Sequence, residues 1–498
     1  MEQRPETTTA STVSKAFARS VRDNTIAEFA AQMIRFGGLI VLARALTPAD
    51  FGILKALFAI TAIASMFIEG GIPDALVQRR NISREHECTA WWLSLGISTL
   101  SIIGVFAGAS LIAGWMQMPV LKPGIRLMCI PLLLDGASQV SSARLQRQMR
   151  FGALALADVL AEVAFLATAL ALIAIKEPQW SLIGALGARV GIHGLAILVA
   201  DAHIPWGLPR ISAVHELGGF ALSVWGGRII QAGSANADYL LIGRVLGSGP
   251  LGFYGIARDL LKFIPNRLHK VAGRVAFPAF AKLQDDHLEL ARSYAQFFNS
   301  LARIVLPIVA CMAVTAPDLI RTIYGHKWLA AAEPLQLLAI GLAFAGMNVG
   351  ISAVYYAKGH PGFDMYLSAL RLILVVAAIV FLSGGGLIAV TAGIGAAELI
   401  NAFATQTVGS WFTELRLKDI VREAMPGLRL GAICALIAGL ADLAAHYFGI
   451  HGPLALLIAG APAGLVYLKL EGSNLMGMVR SAMGGRKRSR TAEQLSQV

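Results

Sequence analysis

Residues 39–57 read LIVLARALTPADFGILKAL, and residues 239–257 read YLLIGRVLGSGPLGFYGIA. Each stretch joins one long apolar run to the next through a short turn that contains proline or glycine. When the two stretches are aligned at a shift of 200 residues, three positions are identical: Arg44 with Arg244, Leu46 with Leu246, and Gly52 with Gly252. The similarity predicts two six-helix halves of like orientation, the arrangement of transporters built from parallel repeats. The alternative is chance similarity between two apolar hairpins.

The apolar character of these stretches extends over nearly the whole chain. Of the 498 residues, 56% are hydrophobic and 14% are charged, and the mean hydropathy is +0.65. Soluble domains carry about 25% charged residues, so the composition excludes an ordinary soluble enzyme, a disordered protein and a secreted cystine scaffold. The apolar runs reach the ~20 residues that a helix needs to cross a bilayer, and they lack the alternation of membrane β-strands. We therefore predict an all-α polytopic membrane protein.

About fourteen stretches have the length expected of a transmembrane helix. They are 25–43, 53–72, 91–114, 125–142, 152–175, 180–200, 217–243, 252–274, 299–317, 335–357, 364–383, 385–410, 427–448 and 453–470. The predicted architecture is two six-helix lobes around a central cavity, followed by a final helix pair. The predicted parts are a cytoplasmic N-terminal tail (1–24), a first lobe (25–216), a second lobe (217–426), the final pair (427–470) and a basic cytoplasmic tail (471–498).

The basic residues predict the orientation of the chain. Lys plus Arg total 42 and Asp plus Glu total 30, which gives a net charge of +12. Alternate connections carry most of the basic residues, Arg79, Arg144 and Arg210 among them, and the positive-inside rule assigns these connections to the cytoplasm. The N-terminal tail has no apolar run before Thr25 and is therefore not a signal peptide. Both termini are predicted in the cytoplasm, where the basic cluster 486–490 would touch anionic lipid rather than nucleic acid.

Polar side chains on the predicted spans point to function, because an ionisable group costs ~2.5–3.5 kcal/mol at the centre of a membrane helix. Such groups face a neighbouring helix or a water-filled cavity. One interpretation is internal ion pairing, of Glu28 with Arg35, Arg228 with Asp238, and Arg258 with Asp259. Span 252–274 has more bases than its single acid, Asp259, which instead favours a bound phosphate or diphosphate. Alternatively, the end of that span anchors at the membrane interface through Arg267, Lys270 and Arg274.

Sequence motifs of common enzymes are missing. The chain has no GxxxxGK[ST] phosphate loop, no HExxH pair and no G-x-S-x-G elbow, so neither ATP hydrolysis nor protease chemistry is indicated. The four cysteines form no CxxC pair and the histidines are scattered, so we predict no cofactor and no metal site. The loops are short, which favours transport over catalysis.

Several motifs follow one another in a fixed order along the two halves. They are LARALTPADFGILKAL (42–57), GGIPDALVQRRNIS (70–83), ADYLLIGRVLGSGPLGFYGIARDL (237–260), FPAFAKLQDD (277–286) and IYGHKWLAAAEPLQLLAI (323–340). Their order and spacing resemble the bacterial polysaccharide transporters, the lipopolysaccharide-biosynthesis or oligosaccharide flippases of the multidrug/oligosaccharidyl-lipid/polysaccharide exporter superfamily. The resemblance runs from about residue 16 to residue 470 and is strongest toward the colanic-acid and succinoglycan type.

The resemblance implies that the chain flips an undecaprenyl-diphosphate-linked oligosaccharide across the bacterial inner membrane, for exopolysaccharide or lipopolysaccharide synthesis. It implies alternating access coupled to a proton or sodium gradient. Related flippases receive the diphosphate in a cationic cavity, for which the candidates by position are Arg35, Lys55, Arg228, Arg258 and Lys262. Candidates for ion coupling or for a polar cavity wall are Glu28, Gln32, Asp158, Glu162 and Asp238. The implied partners are the lipid-linked oligosaccharide, membrane lipid, and a polysaccharide polymerase with its co-polymerase.

Two other functions are compatible with the sequence. The first is a cation-coupled multidrug exporter of the same superfamily, because that branch relies on cavity acids and this chain has Glu28, Asp158 and Glu162. The second is a non-transporting membrane enzyme or scaffold of envelope polysaccharide synthesis.

Overall fold

The computed structural model describes residues 10–79, 81–175, 178–202, 205, 207–360 and 362–472. Within these ranges the chain is helical, with no β-strand. The helices are α1 Ala10–Ala45, α2 Pro48–Glu69, α3 Ile72–Gln78, α4 Arg84–Trp115, α5 Leu121–Arg147, α6 Phe151–Ala174, α7 Pro178–Ala200, α8 Ile211–Leu246, α9 Ser248–Lys282, α10 His287–Val314, α11 Ala316–Ile323, α12 Ala332–Met347, α13 Val349–Ala357, α14 Gly362–Leu382, α15 Gly386–Thr413, α16 Leu417–Tyr447 and α17 Pro453–Gly472. Two short 3₁₀ helices, His326–Ala331 and Ser383–Gly385, complete the set.

The predicted all-α, multi-span character is confirmed. Within the described ranges, nine helical segments are long and apolar enough to cross a bilayer, and one of them, Gly362–Thr413, contains both α14 and α15. Every predicted span lies mainly on helical residues, whereas the exact number of fourteen membrane crossings stays a prediction. Many helices extend past the predicted ends, because polar residues end a membrane span without ending a helix.

One predicted span, 335–357, is interrupted near its middle. Two others, 53–72 and 299–317, run past the end of a helix, at Gly70–Gly71 and at Thr315. The stretch 335–357 divides into α12 and α13 at Asn348. The Asn348 side chain explains how a polar residue is accommodated there, since its Oδ1 accepts a hydrogen bond of 2.8 Å from Nε2 of Gln406 on α15. The break therefore lies where a neighbouring helix supplies a polar partner.

The chain divides into two compact units. The first contains residues 1–256 and 364–393, and the second contains residues 257–363 and 394–498. In the first unit α6 packs on α1 and α7, and α5 packs on α4 and α7. In the second unit α10 packs along α16 and also contacts α12. The predicted lobe boundaries at 216–217 and 426–427 stay a prediction.

The two repeat-related turns contact each other reciprocally within the first unit. A Cβ atom on Gly52 would lie 1.8 Å from the carbonyl oxygen of Ser248, and one on Gly252 would lie 2.0 Å from that of Pro48. Both contacts therefore need glycine, because any side chain would overlap backbone. Residues 48 and 248 differ by the same 200 positions as residues 52 and 252, so the contact is locally two-fold symmetric. A duplicated hairpin packing on its own copy produces this arrangement.

Candidate functional site

The predicted site residues are distributed over both units. The first unit contains Glu28, Gln32, Arg35, Lys55, Asp158, Glu162, Arg228 and Asp238, and the second contains Arg258 and Lys262. Glu28 and Gln32 are half-buried on α1, one turn apart. Residues 264–275 belong to α9, but their side chains lie outside the described ones, so the interface anchors expected at Arg267, Lys270 and Arg274 stay a prediction.

Two arginines converge on one buried carboxylate in the first unit. Glu162 of α6 is 3% exposed, and its Oε1 accepts a hydrogen bond of 2.8 Å from Nε of Arg35 and one of 2.9 Å from Nε of Arg189. The other carboxylate oxygen, Oε2, has no hydrogen-bond partner among the described residues. With all three groups ionised the triad has a net charge of +1. Because Arg35 is half-buried, this charge lies at the edge of the packed helices.

A histidine links two further carboxylates beside this triad. Nδ1 of His193 lies 3.1 Å from Oδ1 of Asp135 on α5, and Nε2 lies 3.7 Å from Oδ1 of Asp158 on α6. The Asp158 side chain is 55% exposed at the surface of the packed helices. Sequence reasoning missed Asp135, Arg189 and His193. The signal was present, because each lies on a predicted span and Arg189 and His193 are one helical turn apart.

Arg228 of α8 is held by two acids near the end of α2. Its Nη1 donates to Oε2 of Glu69 at 2.7 Å, and its Nη2 donates to Oδ1 of Asp74 at 2.9 Å. The expected pairing of Arg228 with Asp238 is therefore wrong. Ten residues along a helix correspond to ~15 Å, so two side chains on the same face at that spacing are too far apart to bond.

The same geometry explains Arg35 and Asp238. Arg35 pairs with Glu162 on another helix and not with Glu28, which lies seven residues away on α1, a separation of ~10 Å. The Asp238 carboxylate is fully buried, and its Oδ2 accepts a hydrogen bond of 2.5 Å from the Tyr254 hydroxyl. The sequence therefore predicts which side chains share a helix face. It does not predict their ion-pair partners, which lie on neighbouring helices.

Acids outnumber bases in this part of the first unit. The acids are Glu69, Asp74, Asp135, Asp158 and Glu162, and the bases are Arg35, Arg189 and Arg228. Asp135 also acts electrostatically on Glu69, which joins the groups into one polar network. With His193 neutral the net charge of the network is 3 − 5 = −2. It is therefore suited to hold a proton or a metal cation, while its Arg35–Glu162–Arg189 part has a surplus positive charge.

Lys55 is a buried cation beside the symmetric turn contact. Its side chain is 6% exposed, and its Nζ lies 5.0 Å from the ring centroid of Phe51 and 5.7 Å from that of Phe58. The aliphatic stem lies against Gly255, where an added Cβ would be 2.8 Å from Lys55 Cγ. Aromatic faces stabilise an ammonium group in a site that excludes water. Positions 55 and 255 are again related by the 200-residue shift.

The two candidates in the second unit differ in accessibility. Arg258 is 1% exposed, and Lys262, one turn later on α9, is half-buried. Both side chains take part in interactions within the protein. An external anion would therefore meet Lys262 before Arg258.

Several connections that were predicted on the cytoplasmic side meet at one end of the first unit. Arg144 donates to Glu87 at 2.6 Å and to Asp201 at 2.9 Å. Arg210 donates to Glu85 at 2.8 Å, and Arg79 pairs with Glu216. These pairs join the ends of α3, α4, α5, α7 and α8. The clustering agrees with the alternation of basic connections in the sequence.

Most of the chain is similar to known proteins of polysaccharide biosynthesis and, in fold, to a lipid flippase. The lipopolysaccharide biosynthesis protein WzxC of Escherichia coli (strain K12) is 26% identical over 395 residues, which cover 76% of each chain. The succinoglycan biosynthesis transport protein ExoT of Rhizobium meliloti (strain 1021) is 24% identical over 330 residues, which cover 66% of each chain. The fold is shared with the lipid II flippase MurJ in an inward closed conformation, at 13% identity and a TM-score of 0.72 over 91% of this chain and 99% of that chain.

A family model supplies the assignment. Residues 41–333, more than half of the chain, match the model of a family described as polysaccharide biosynthesis protein. The predicted resemblance is confirmed, as is the prediction of a multi-pass membrane transporter rather than an enzyme. The chain belongs to the polysaccharide biosynthesis protein family.

Proposed function

We propose that the protein flips a polyprenyl-diphosphate-linked oligosaccharide from the cytoplasmic to the outer leaflet of the bacterial inner membrane by alternating access. Family membership, the transport function in the name of the Rhizobium relative and the flippase-like fold support the class of this activity. The alternation of basic connections supports cytoplasmic termini. Two lobes that rock against each other would expose the site first to one side and then to the other.

The observation that carries the proposal is the pair of arginines on the single Glu162 carboxylate. The surplus positive charge of this triad lies on a half-buried Arg35, where a diphosphate can approach. Arginine binds phosphate oxygens through two parallel N–H donors, and lysine adds a point charge. The other basic candidates for binding the diphosphate are Lys55 in the first unit and Arg258 and Lys262 in the second. Arg228 would bind the diphosphate only if its hydrogen bonds to Glu69 and Asp74 were broken.

The polyprenyl tail would stay in an apolar environment while the sugars cross. The second unit contains an apolar cavity of about 400 Å³ between α10, α16 and α17. Residues of its wall include Pro307, Cys311, Cys434, Leu456 and Tyr467. A cavity of this chemistry accepts hydrocarbon chain segments and excludes the sugar. The released repeat unit would be the substrate of a polymerase and its co-polymerase at the outer leaflet.

The acidic network would supply the coupling. Asp158 is exposed and lies next to His193, so it would be the group through which a proton or sodium ion enters the network. Uptake of a cation would neutralise part of the −2 charge and change the balance between Glu162 and its two arginines. Glu28 and Gln32 would contribute polar surface on α1, whereas Asp238 of α8 is buried and would act through its bond to Tyr254.

The test is surface polysaccharide output in a strain that lacks the chromosomal gene. We expect the double variant Arg258→Ala with Lys262→Ala, and the single variant Arg35→Ala, to abolish most output and to accumulate the lipid-linked precursor. The matched control is Lys282→Ala with Arg292→Ala, which removes two exposed bases from the same unit. Normal output from both site variants at equal protein level would overturn the diphosphate site.

A cation-coupled multidrug exporter is the second candidate, and the acid excess of the first unit favours it. The same strain distinguishes the two functions. Increased drug sensitivity with unchanged polysaccharide would select the exporter, whereas lost polysaccharide with unchanged drug sensitivity would select the flippase.

A further inference from the structure

Three side chains that are distant in sequence converge in the second unit. Asp318 lies in the first turn of α11, His446 in the last turn of α16, and His451 in the connection from α16 to α17. Their ligand atoms all lie within 4.8 Å of one another. The sequence showed only scattered histidines, and the fold brings these two next to a carboxylate.

Asp318 is held in a fixed orientation. It is 1% exposed, its Oδ1 accepts a hydrogen bond of 2.9 Å from the backbone N–H of Gly452, and its Oδ2 lies 2.5 Å from Nε2 of His446. The imidazole ring centres of His446 and His451 are 4.7 Å apart. Nη1 of Arg321 lies 4.0 Å from the same carboxylate. Binding would therefore require no large rearrangement of this group.

A second carboxylate, Asp442, interacts with this cluster. Asp442 precedes His446 by four residues on α16, so both side chains project from one helix face. Asp442 is 9% exposed, and its Oδ1 has no hydrogen-bond partner among the described residues. The group interacts electrostatically with Asp318, His446 and His451. A buried carboxylate oxygen without a partner is costly unless a cation or a proton compensates it.

The donor types select the cation. Two imidazoles and two carboxylates match the preferences of Zn²⁺, which binds these groups at ~2.0–2.2 Å in tetrahedral sites. Mg²⁺ and Ca²⁺ prefer oxygen ligands alone, and thiolate-selecting ions would require cysteine. The charges agree as well, because the two carboxylates outnumber the single Arg321 and leave a net negative charge that favours a bound cation.

We propose that Asp318, Asp442, His446 and His451 form a binding site for a zinc-class divalent metal ion. The four protein ligands would make a closed, structural site. The ion would tie the connection between α16 and α17 to α11, and so fix the final helix against the preceding part of the second unit. In the predicted orientation this connection faces the outer side of the membrane.

The test is direct metal binding by the purified full-length protein in detergent, with a tag that contains no histidine. Co²⁺ is the probe, because tetrahedral Co²⁺ has characteristic visible absorption, and Zn²⁺ is the competitor. We expect one Co²⁺ per chain, displaced by Zn²⁺. The variants Asp442→Asn, His446→Ala and His451→Ala should each weaken affinity at least ~100-fold. The control is His360→Ala, an exposed histidine of the same unit outside the cluster.

Thermal stability supplies a second measurement. Zn²⁺ should raise the midpoint of thermal unfolding of the wild-type protein and leave that of His451→Ala unchanged, because only a ligand-competent native state gains from binding. His451 is exposed, so its removal leaves the packed helices intact. Failure of the wild-type protein to bind Co²⁺ or Zn²⁺, or wild-type affinity in His451→Ala and Asp442→Asn, would overturn the site.

Discussion

Two polar networks, one in each unit, are built in different ways. The network of the first unit is charged and open at several points, with Asp158 exposed and Arg35 half-buried. The second unit contains a neutral network, in which the Tyr294 hydroxyl donates to Oε1 of Gln406 at 2.7 Å and Gln406 donates onward to Asn348. Tyr294 is fully buried. Charges that meet water suit ion and ligand binding, whereas buried amides and hydroxyls hold helices together.

The largest effect is expected from breaking the charged triad. Glu162→Gln leaves Arg35 and Arg189 facing each other without a carboxylate. Removal of one partner from a buried ion pair costs about 3–5 kcal/mol, because the remaining charge is uncompensated. We expect a lower midpoint of thermal unfolding in detergent and loss of surface polysaccharide.

A double variant sharpens this prediction. Glu162→Gln with Arg189→Gln removes one charge of each sign and should recover part of the lost stability. The control Glu289→Gln alters an exposed acid of α10 and should change neither measurement. Wild-type stability in Glu162→Gln would show that the triad does not stabilise the first unit.

The next effect concerns the symmetric turn contact. Gly52→Ala and Gly252→Ala each place a methyl group about 2 Å from a backbone carbonyl oxygen, so the helices must separate. Overpacking of this kind costs about 1–3 kcal/mol. Because the contact is reciprocal, the two variants should lower the thermal midpoint by similar amounts. Gly37→Ala on α1 is the control, since an added Cβ there meets no atom within 4 Å.

A smaller effect is expected in the neutral network. Tyr294→Phe removes one buried hydrogen bond to Gln406 and keeps the ring, so the expected loss is about 1 kcal/mol. Polysaccharide output per molecule of protein should be unchanged, because no exposed or charged group is altered. A loss of output without a loss of stability would show that this network takes part in transport. The neutral network would then not be purely structural.

The sequence predicted the helices better than it predicted their partners. Long apolar runs indicate burial in a bilayer, and every span predicted from them lies mainly on helical residues. The repeat was visible because Gly52 and Gly252 are required by a backbone contact, which restricts residue type strongly. Partner choice depends on neighbouring helices, so Arg228 was assigned to Asp238 and not to Glu69 and Asp74. Asp442 and His446 lie four residues apart, on one face of α16. The sequence did not identify them as metal ligands, because that role depends on Asp318, which is distant in sequence.

The smallest change in stability should accompany a specific functional effect at Asp158. Its side chain is exposed and lies 3.7 Å from His193, so Asp158→Asn should alter the free energy of unfolding by less than about 0.5 kcal/mol. The variant nevertheless removes the charge through which a cation would enter the acidic network. We expect lower polysaccharide output and a weaker response of output to an imposed proton or sodium gradient. Asp285→Asn, which changes an exposed acid of the second unit, is the control. Undiminished output with an unchanged gradient response would exclude Asp158 from coupling, and the charged network of the first unit would then be structural in the same sense as the neutral one.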